Sequence, residues 1–273
     1  MTRIRGTHAN GGTVLVPPLF HIRERLPVAT AAVFVATATA TAAHSFAPAV
    51  LDVLIRRPGA LAAGEWWRLV TPMFVHDKGW SQIVINLAGI ALAGAAIEWR
   101  LDSSRRWLAL YFVPGVIGQA AAYFWYPEGG GASTGVSGLC GGVIVWLLRR
   151  DDAGNDEREG FPRAAAFYAV FLIASLVGRY AVNLGMIGGE IGGAVAACTA
   201  LGVVFAQFRR RYPSPRATAL FLGYVGVAGA VVLAALRDIH GPAVLAGMGI
   251  AAAFLVVRRR NRRGLTPCPE TPR

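Results

Sequence analysis

The stretch from Gly129 to Arg150, GGGASTGVSGLCGGVIVWLLRR, joins a glycine-rich segment to an apolar run that stops at two arginines. As an α-helix, the run from Val136 to Leu148 would extend about 20 Å, whereas the hydrocarbon core of a bilayer is roughly 30 Å thick. Non-helical backbone must cross the remaining depth, and residues 129–134 supply it. Irregular backbone at membrane depth occurs only where it is buried in protein or lines a wet cavity. We therefore expect Ser137, near the start of this helix, to face an aqueous pocket inside a helix bundle.

The composition is that of an integral membrane protein. Hydrophobic residues make up 55% of the chain, charged residues make up 15%, and the mean hydropathy is +0.48, which excludes an ordinary soluble domain. The net charge of +12 would be consistent with a nucleic-acid-binding protein, but the arginines lie in short runs between apolar spans. We therefore expect contact with the lipid bilayer and no nucleic-acid partner. The three cysteines include no Cys-x-x-Cys pair, so neither a disulfide framework nor a metal site is predicted.

Hydrophobic runs predict an all-α polytopic membrane protein with eight spans. These spans are roughly 27–51, 81–99, 107–126, the short 136–148, 162–182, 184–207, 217–236 and 239–257. If the amino terminus is cytoplasmic, most of the 27 lysines and arginines fall on the cytoplasmic side, as the positive-inside rule requires. We therefore expect both termini in the cytoplasm and the start of the short span on the outer side.

The chain is expected to have four parts. These are a cytoplasmic tail (residues 1–26), a six-helix membrane core (27–207), two additional membrane helices (208–258) and a basic cytoplasmic tail (259–273). The first part has no small-residue cleavage site after a short apolar core, which favours a tail over a signal peptide. A single lysine beside 26 arginines, with abundant alanine and glycine, indicates a GC-rich bacterial genome. The expected location is the bacterial inner (cytoplasmic) membrane.

Four stretches between about residues 65 and 205 carry a recognisable pattern. They are residues 65–76 (EWWRLVTPMFVH), 82–86 (QIVIN), 135–138 (GVSG) and 190–193 (EIGG). In that order they resemble the W-R-x-x-T-x-x-F-x-H loop, the H-x-x-x-N pair, the G-x-S-G segment and the H-x-x-G segment of the rhomboid family of intramembrane serine proteases. Glutamine replaces the histidine of the second motif, and glutamate replaces the catalytic histidine of the fourth. The resemblance implies a rhomboid-like six-helix core, here followed by two C-terminal transmembrane helices.

The resemblance also implies a site in which a serine attacks a peptide carbonyl after a base removes its proton. It makes Ser137 the nucleophile, flanked by the motif glycines Gly135 and Gly138. It places Glu190 at the general-base position, about 10 Å below the outer surface by helix rise and therefore near the depth of Ser137. A desolvated carboxylate can act as a base.

His240 is the alternative base. Gly247 follows it seven residues later, which loosely resembles the H-x-x-G-x-x-x-G pattern of the family's sixth helix. Because Arg237 and Asp238 come directly before His240, we expect it at the outer interface rather than at the depth of Ser137.

Gln82 and Asn86 fall at the family's oxyanion positions. Four residues apart on a helix, they share one face, and each side-chain amide has N–H donors. Such donors stabilise the negative oxygen that forms when a serine attacks a carbonyl.

The function implied by the resemblance is cleavage of single-span membrane proteins near the outer membrane surface, without a cofactor. The replacements at Gln82 and Glu190 leave a second hypothesis open, a catalytically inactive rhomboid pseudoprotease that binds transmembrane segments. A third hypothesis is a transporter that uses Glu190 as a proton site. Structural roles also remain open, because an intramembrane serine eases helix packing and buried amides join helices.

Overall fold

The computed structural model describes residues 6–7, 13–14, 26–149, 163–183 and 190–263. Its helices are α1 (Val28–Phe46), α2 (Pro48–Leu54), α3 (Trp80–Gly89), α4 (Ala95–Leu101), α5 (Ser104–Trp125), α6 (Ser133–Leu148), α7 (Arg163–Asn183), α8 (Glu190–Arg211), α9 (Pro215–Ala235) and α10 (His240–Arg263). A π-helical turn (Ile90–Gly94) joins α3 to α4, and two 3-10 turns (Trp66–Leu69 and Thr71–Phe74) precede α3. Near the amino terminus, β1 (Gly6–Thr7) and β2 (Thr13–Val14) pair antiparallel.

The membrane helices confirm the predicted all-α polytopic architecture. Among the described residues, seven helical segments are long and apolar enough to cross a membrane, namely 28–46, 80–101, 104–125, 163–180, 192–211, 215–235 and 240–257. The eighth, α6, has 16 residues and is too short to span a bilayer by itself. Each predicted span therefore overlaps an observed membrane helix, although the first also extends into α2 and residues 184–189 of the sixth lie outside the described residues.

The short helix α6 lies at the centre of the bundle, packed against α5, α9 and α10. Its contact with α10 is close because glycines lie where the helices cross. A Cβ built on Gly141 would lie 2.3 Å from the carbonyl oxygen of Val244, and one on Gly247 would lie 2.2 Å from that of Gly138. The two helices thus meet backbone to backbone, as small residues allow in membrane bundles.

The position of the last two helices differs from their expected place outside a six-helix core. The final helix, α10, packs against α6 and α5, and α9 packs against α6, α7 and α10. The sixth span, α8, packs chiefly against α7. The boundary at residue 207 stays a prediction, but the helix that faces α6 is α10.

The loop of residues 55–79, between α2 and α3, is fastened to the bundle by buried polar groups. Arg68 donates to the carbonyl oxygens of Asp52 at 2.9 Å and Ile55 at 2.5 Å. His76 Nδ1 lies 2.8 Å from the hydroxyl of Thr41 in α1. These contacts give Arg68 a structural role, holding the loop at the end of the bundle where α6 begins.

The opposite end of the bundle is held by Glu98 in α4. Its carboxylate accepts hydrogen bonds from the N–H groups of Ala29 at 2.9 Å and Thr30 at 2.8 Å, in the first turn of α1. The hydroxyl of Ser104 donates to the same carboxylate at 2.8 Å. A negative group at a helix start satisfies free N–H groups and opposes the helix dipole.

Candidate active site

The first turn of α6 begins at Ser133 rather than at Val136. Before it, Gly129 and Gly131 have φ angles of 126° and 153°, in the region that favours glycine. The N–H of Gly131 donates to the carbonyl oxygen of Pro72 at 2.7 Å, and Gly129 exchanges backbone hydrogen bonds with Arg56. Residues 129–132 are therefore irregular backbone, as predicted, and they are fastened to the loop of residues 55–79, whereas Ser133 and Thr134, expected to be irregular, are helical.

Ser133 and His240 meet at this end of the bundle. The Nε2 atom of His240 lies 2.8 Å from the Oγ atom of Ser133, although 107 residues separate them in the chain. Ser133 is partly exposed, whereas His240 is buried. A hydroxyl hydrogen-bonded to a ring nitrogen is the arrangement in which a base activates a serine.

Asp238 is the second partner of His240. Its Oδ1 atom lies 2.5 Å from His240 Nδ1 and accepts the backbone N–H of His240 at 2.9 Å. Its Oδ2 atom accepts from the hydroxyl of Tyr180 at 2.8 Å and from the guanidinium of Arg179. Burial by itself would raise the pKa of Asp238, but the charge and hydrogen bonds of His240, together with Arg179, lower that pKa well below its usual range. The carboxylate is therefore ionised.

Ser137 does not occupy the wet pocket expected from the sequence. It is 0% exposed, and its hydroxyl has no hydrogen-bond partner within the described part of the chain. The neighbouring motif glycines serve packing, because Gly138 touches Gly247 and a Cβ on Gly135 would lie 2.6 Å from the ring of Tyr111. The prediction of an accessible Ser137 is wrong because α6 begins one turn earlier and this second turn is enclosed by helices.

The two candidate bases have different positions. Glu190 begins α8, which packs chiefly against α7, and its side chain lies outside the described residues, so its role stays a prediction. His240 begins α10 at the end of the bundle where α6 also begins. The outer-interface position expected for His240 stays a prediction, and the serine beside His240 is Ser133.

Gln82 lies beside the start of α6. Its Nε2 donates to the carbonyl oxygen of Gly130 at 2.9 Å, and its Oε1 accepts the N–H of Lys78 at 3.0 Å. A Cβ built on Gly131 would lie 2.6 Å from Gln82 Nε2 and 3.5 Å from Ser133 Oγ. The amide donor and the serine hydroxyl therefore border the same small space, which Gly131 keeps open.

Asn86 lies one turn further along α3. It is 2% exposed, and its Nδ2 donor has no hydrogen-bond partner among the side chains and backbone that the structure describes. A buried donor without a partner is costly. Such a donor is available to a developing negative charge.

A buried polar chain supports the first turn of α6. Arg56 donates to the side-chain oxygen of Gln119, whose Nε2 donates to the hydroxyl of Thr134 at 3.1 Å. Burial lowers the pKa of Arg56, and the nearby Asp77 carboxylate partly offsets this effect. These groups fix the residue that follows Ser133.

Sequence motifs alone do not indicate that Ser133, Asp238 and Arg179 belong to one cluster. A local signal for Ser133 exists, because Gly131-Ala132-Ser133 is itself a Gly-x-Ser segment at the helix start.

Within residues 26–149, 163–183 and 190–263, no group of three or more histidine, cysteine, aspartate or glutamate side chains is arranged to hold a metal ion.

Comparison with known proteins identifies the family. A family model of the rhomboid domain matches residues 63–203, more than half of the chain. Over 149 residues the chain is 34% identical to the rhomboid protease GluP of Bacillus subtilis (strain 168), covering 52% of this chain and 27% of that protein. Over 141 residues it is 26% identical to rhomboid-like protease 3 of Toxoplasma gondii, covering 49% of this chain and 51% of that protein. The alignments thus span only part of each relative, and the family match ends before His240. With this match and a bundle of apolar helices around a short, glycine-rich one, the chain belongs to the rhomboid family.

Proposed function

We propose that the chain is a rhomboid-type intramembrane serine endopeptidase in which Ser133 is the nucleophile and His240 is the general base. The observation that carries this proposal is the 2.8 Å hydrogen bond between Ser133 Oγ and His240 Nε2. Accessibility supports the same choice, because Ser133 is partly exposed and Ser137 is fully buried. The proposal replaces Ser137 and Glu190 in the roles expected from the sequence.

In the first half of the reaction, His240 Nε2 takes the proton of Ser133 as Oγ attacks the carbonyl carbon of the peptide. The tetrahedral intermediate then collapses, and the imidazolium gives its proton to the departing amine. An acyl group remains on Ser133. In the second half, His240 Nε2 takes a proton from water as the water oxygen attacks the ester carbonyl. This second intermediate collapses by breaking the bond between the acyl carbon and Ser133 Oγ, the new carboxyl end leaves, and the imidazolium returns its proton to Ser133.

The oxyanion of each intermediate needs preorganised donors. We assign this role to the side-chain amides of Gln82 and Asn86 and to the N–H groups at the start of α6, which no side chain caps. The Gln82 amide must release the carbonyl oxygen of Gly130 to bind the oxyanion, whereas the Nδ2 donor of Asn86 has no partner to release in the described part of the chain.

The expected substrate is a single-span membrane protein whose helix is weak near the cleaved bond. A peptide bond within a membrane helix has its polar groups bonded to the helix, so it must leave the helix before a nucleophile reaches it. Because Ser133 is the first residue of α6, cleavage is expected near a membrane surface. The distribution of arginines supports assigning that surface to the outer face of the bacterial cytoplasmic membrane, with both chain termini in the cytoplasm.

The rival function is a rhomboid pseudoprotease that binds transmembrane segments without cutting them. One observation favours it, namely that the Gln82 amide is already engaged with Gly130. Both functions use the same bundle and differ only in whether Ser133 reacts.

Cleavage of membrane reporters tests the proposal. The purified chain is reconstituted in vesicles with single-span reporters that carry a glycine- and alanine-rich segment at the end of their spans. We expect the wild type to cleave at least one reporter and Ser133→Ala and His240→Gln to cleave none. Ser137→Ala, the matched serine variant one turn deeper, should keep activity.

Three results would contradict the proposal. Loss of cleavage in Ser137→Ala with activity in Ser133→Ala would restore the serine expected from the sequence. Loss of cleavage in Glu190→Gln with activity in His240→Gln would make Glu190 the general base. Binding of reporters without cleavage by the folded wild type would favour the pseudoprotease.

A further inference from the structure

The turn between α9 and α10 holds Asp238 rigidly. Its N–H donates to the carbonyl oxygen of Leu233 at 2.9 Å, and its own carbonyl accepts the N–H of Gly241 at 3.0 Å. Arg237, with a φ of 56°, adopts the left-handed conformation that often ends a helix. The carboxylate therefore has little freedom to move away from His240.

The donors around Asp238 divide between two helices. One oxygen receives both hydrogen bonds from His240, and the other receives those of Tyr180 and Arg179 in α7. The side chain of Asp238 is 0% exposed. A buried carboxylate stays charged only when donors surround it in this way, so His240 faces a permanent negative charge.

The charge determines which nitrogen of His240 carries the proton. The lone pair of an unprotonated Nδ1 would point at a carboxylate oxygen and be repelled by it, whereas a protonated Nδ1 donates a hydrogen bond to that oxygen. With the proton on Nδ1, Nε2 is bare and accepts the hydroxyl hydrogen of Ser133.

We infer that Asp238 is a positioning residue that fixes His240 in this tautomer and stabilises the imidazolium formed when Nε2 takes the serine proton. The inference rests on the proposed roles of Ser133 and His240. The proton moves from Ser133 Oγ to His240 Nε2, and Asp238 remains ionised throughout, so the step requires no further acid or base.

A purely structural Asp238 would only cap α10 and tie it to α7. Asp238→Asn separates the two roles. Asparagine accepts a backbone N–H at a helix start as well as aspartate does. Its neutral amide, however, neither requires the Nδ1–H tautomer nor stabilises an imidazolium.

The test is the rate at which a fluorophosphonate labels the purified full chain in detergent, measured from acidic to alkaline pH. We expect Asp238→Asn to slow labelling by about a thousandfold or more, as misplacing the histidine proton does in serine proteases. We also expect the acid limb of its pH profile to move to lower pH, because the imidazolium loses its carboxylate. The other charged or titratable groups of this cluster, Arg179 and Tyr180, stay in place. Arg179→Gln leaves the pair of Asp238 and His240 intact and is the matched control. Its labelling rate should fall much less than that of Asp238→Asn.

Labelling of Asp238→Asn at the wild-type rate, with an unchanged acid limb, would overturn this inference and leave the proposed function standing. A wild type that takes no label, or that labels equally when Ser133 is replaced by alanine, would remove the proposed function and this inference with it. The two failures are therefore distinguishable.

A second measurement needs no variant of Asp238, whose replacement could unfold the chain. The sequence has five histidines, so nitrogen NMR of histidine-labelled protein is simple, and the signal lost in His240→Gln identifies His240. We expect a protonated Nδ1 and a bare Nε2 at neutral pH. The opposite tautomer would overturn the inference.

Discussion

Asn86 combines burial with a side-chain donor that lacks a partner in the described part of the chain. If that donor serves an oxyanion, Asn86→Ala should lower kcat by about a hundredfold or more, with little change in KM. Because the variant removes a buried donor that has no partner within the described residues, thermal stability should stay the same or rise. Reporter cleavage and thermal unfolding in detergent measure the two effects. A fall in stability with normal kcat would show instead that Asn86 joins helices.

His76 predicts a dependence of stability on pH. Burial and the nearby His44 lower its pKa from 6.5 to about 4, although Asp77 acts in the opposite direction. The folded state therefore stays neutral at His76 while the unfolded state gains a proton, so stability falls as pH decreases from about 6.5 towards 4.

His76→Gln checks this dependence by thermal unfolding over the same pH range. The variant loses the hydrogen bond between His76 and Thr41, and the cost of this loss to stability does not depend on pH. Its unfolding midpoint should fall less than that of the wild type as the solution is acidified. Equal slopes for the two proteins would show that His76 does not contribute to the acid sensitivity.

The local sequence pattern favours Ser137 over Ser133. Thr134 follows Ser133, so the first Gly-x-Ser lacks the second glycine of G-x-S-G, whereas Gly138 completes the pattern around Ser137. Solvent access and a histidine 107 residues away distinguish the two serines. Neither property can be read from four consecutive residues.

At the scale of helices, the contact between α6 and α10 positions the site. Gly247→Ala would place a methyl group 2.2 Å from the backbone oxygen of Gly138, and backbone cannot move aside as a flexible side chain can. Overpacking of this kind costs about 1–3 kcal/mol. We expect a lower unfolding midpoint and slower cleavage, because separating the helices moves His240 away from Ser133.

Gly249→Ala is the matched control on the same helix, because no neighbour lies within 4 Å of the Cβ it would add. Its unfolding midpoint and activity should stay near those of the wild type. Equal losses in the two variants would mean that glycine matters here for a reason other than the approach of α6.

Helix pairing explains why the sequence alone favours Glu190 over His240 as the base. Hydropathy indicated each span, but it carries no information about which span faces α6. Counting the family's helices along the chain points to the sixth span, α8, whereas the bundle brings α10 to α6. The small residues of α10, including Gly247 seven positions after His240, were the available signal.

At the scale of the whole molecule, composition and hydropathy predicted the architecture well. Within the described residues, apolar runs correspond to the seven helical segments that are long enough to cross a membrane and to the shorter α6, because a bilayer requires apolar segments that satisfy their own backbone groups. The cluster of Ser133, His240 and Asp238 depends on tertiary packing between distant segments. It therefore lay beyond a motif analysis.

The proposed orientation can be tested with single cysteines. Ala62→Cys lies on an exposed site in the loop of residues 55–79, and Pro213→Cys lies on an exposed site between α8 and α9. If both termini are cytoplasmic, a membrane-impermeant maleimide added to intact cells should label Ala62→Cys above the wild-type background. Pro213→Cys should label only after the cells are opened. The reverse pattern would invert the topology.

The most direct measurement is identification of the residue that a fluorophosphonate modifies. The purified wild type is labelled in detergent, digested and mapped by mass spectrometry, beside Ser133→Ala and Ser137→Ala. We expect modification at Ser133, its loss in Ser133→Ala and its persistence in Ser137→Ala. Modification at Ser137, or the absence of any modification in folded wild type, would contradict it.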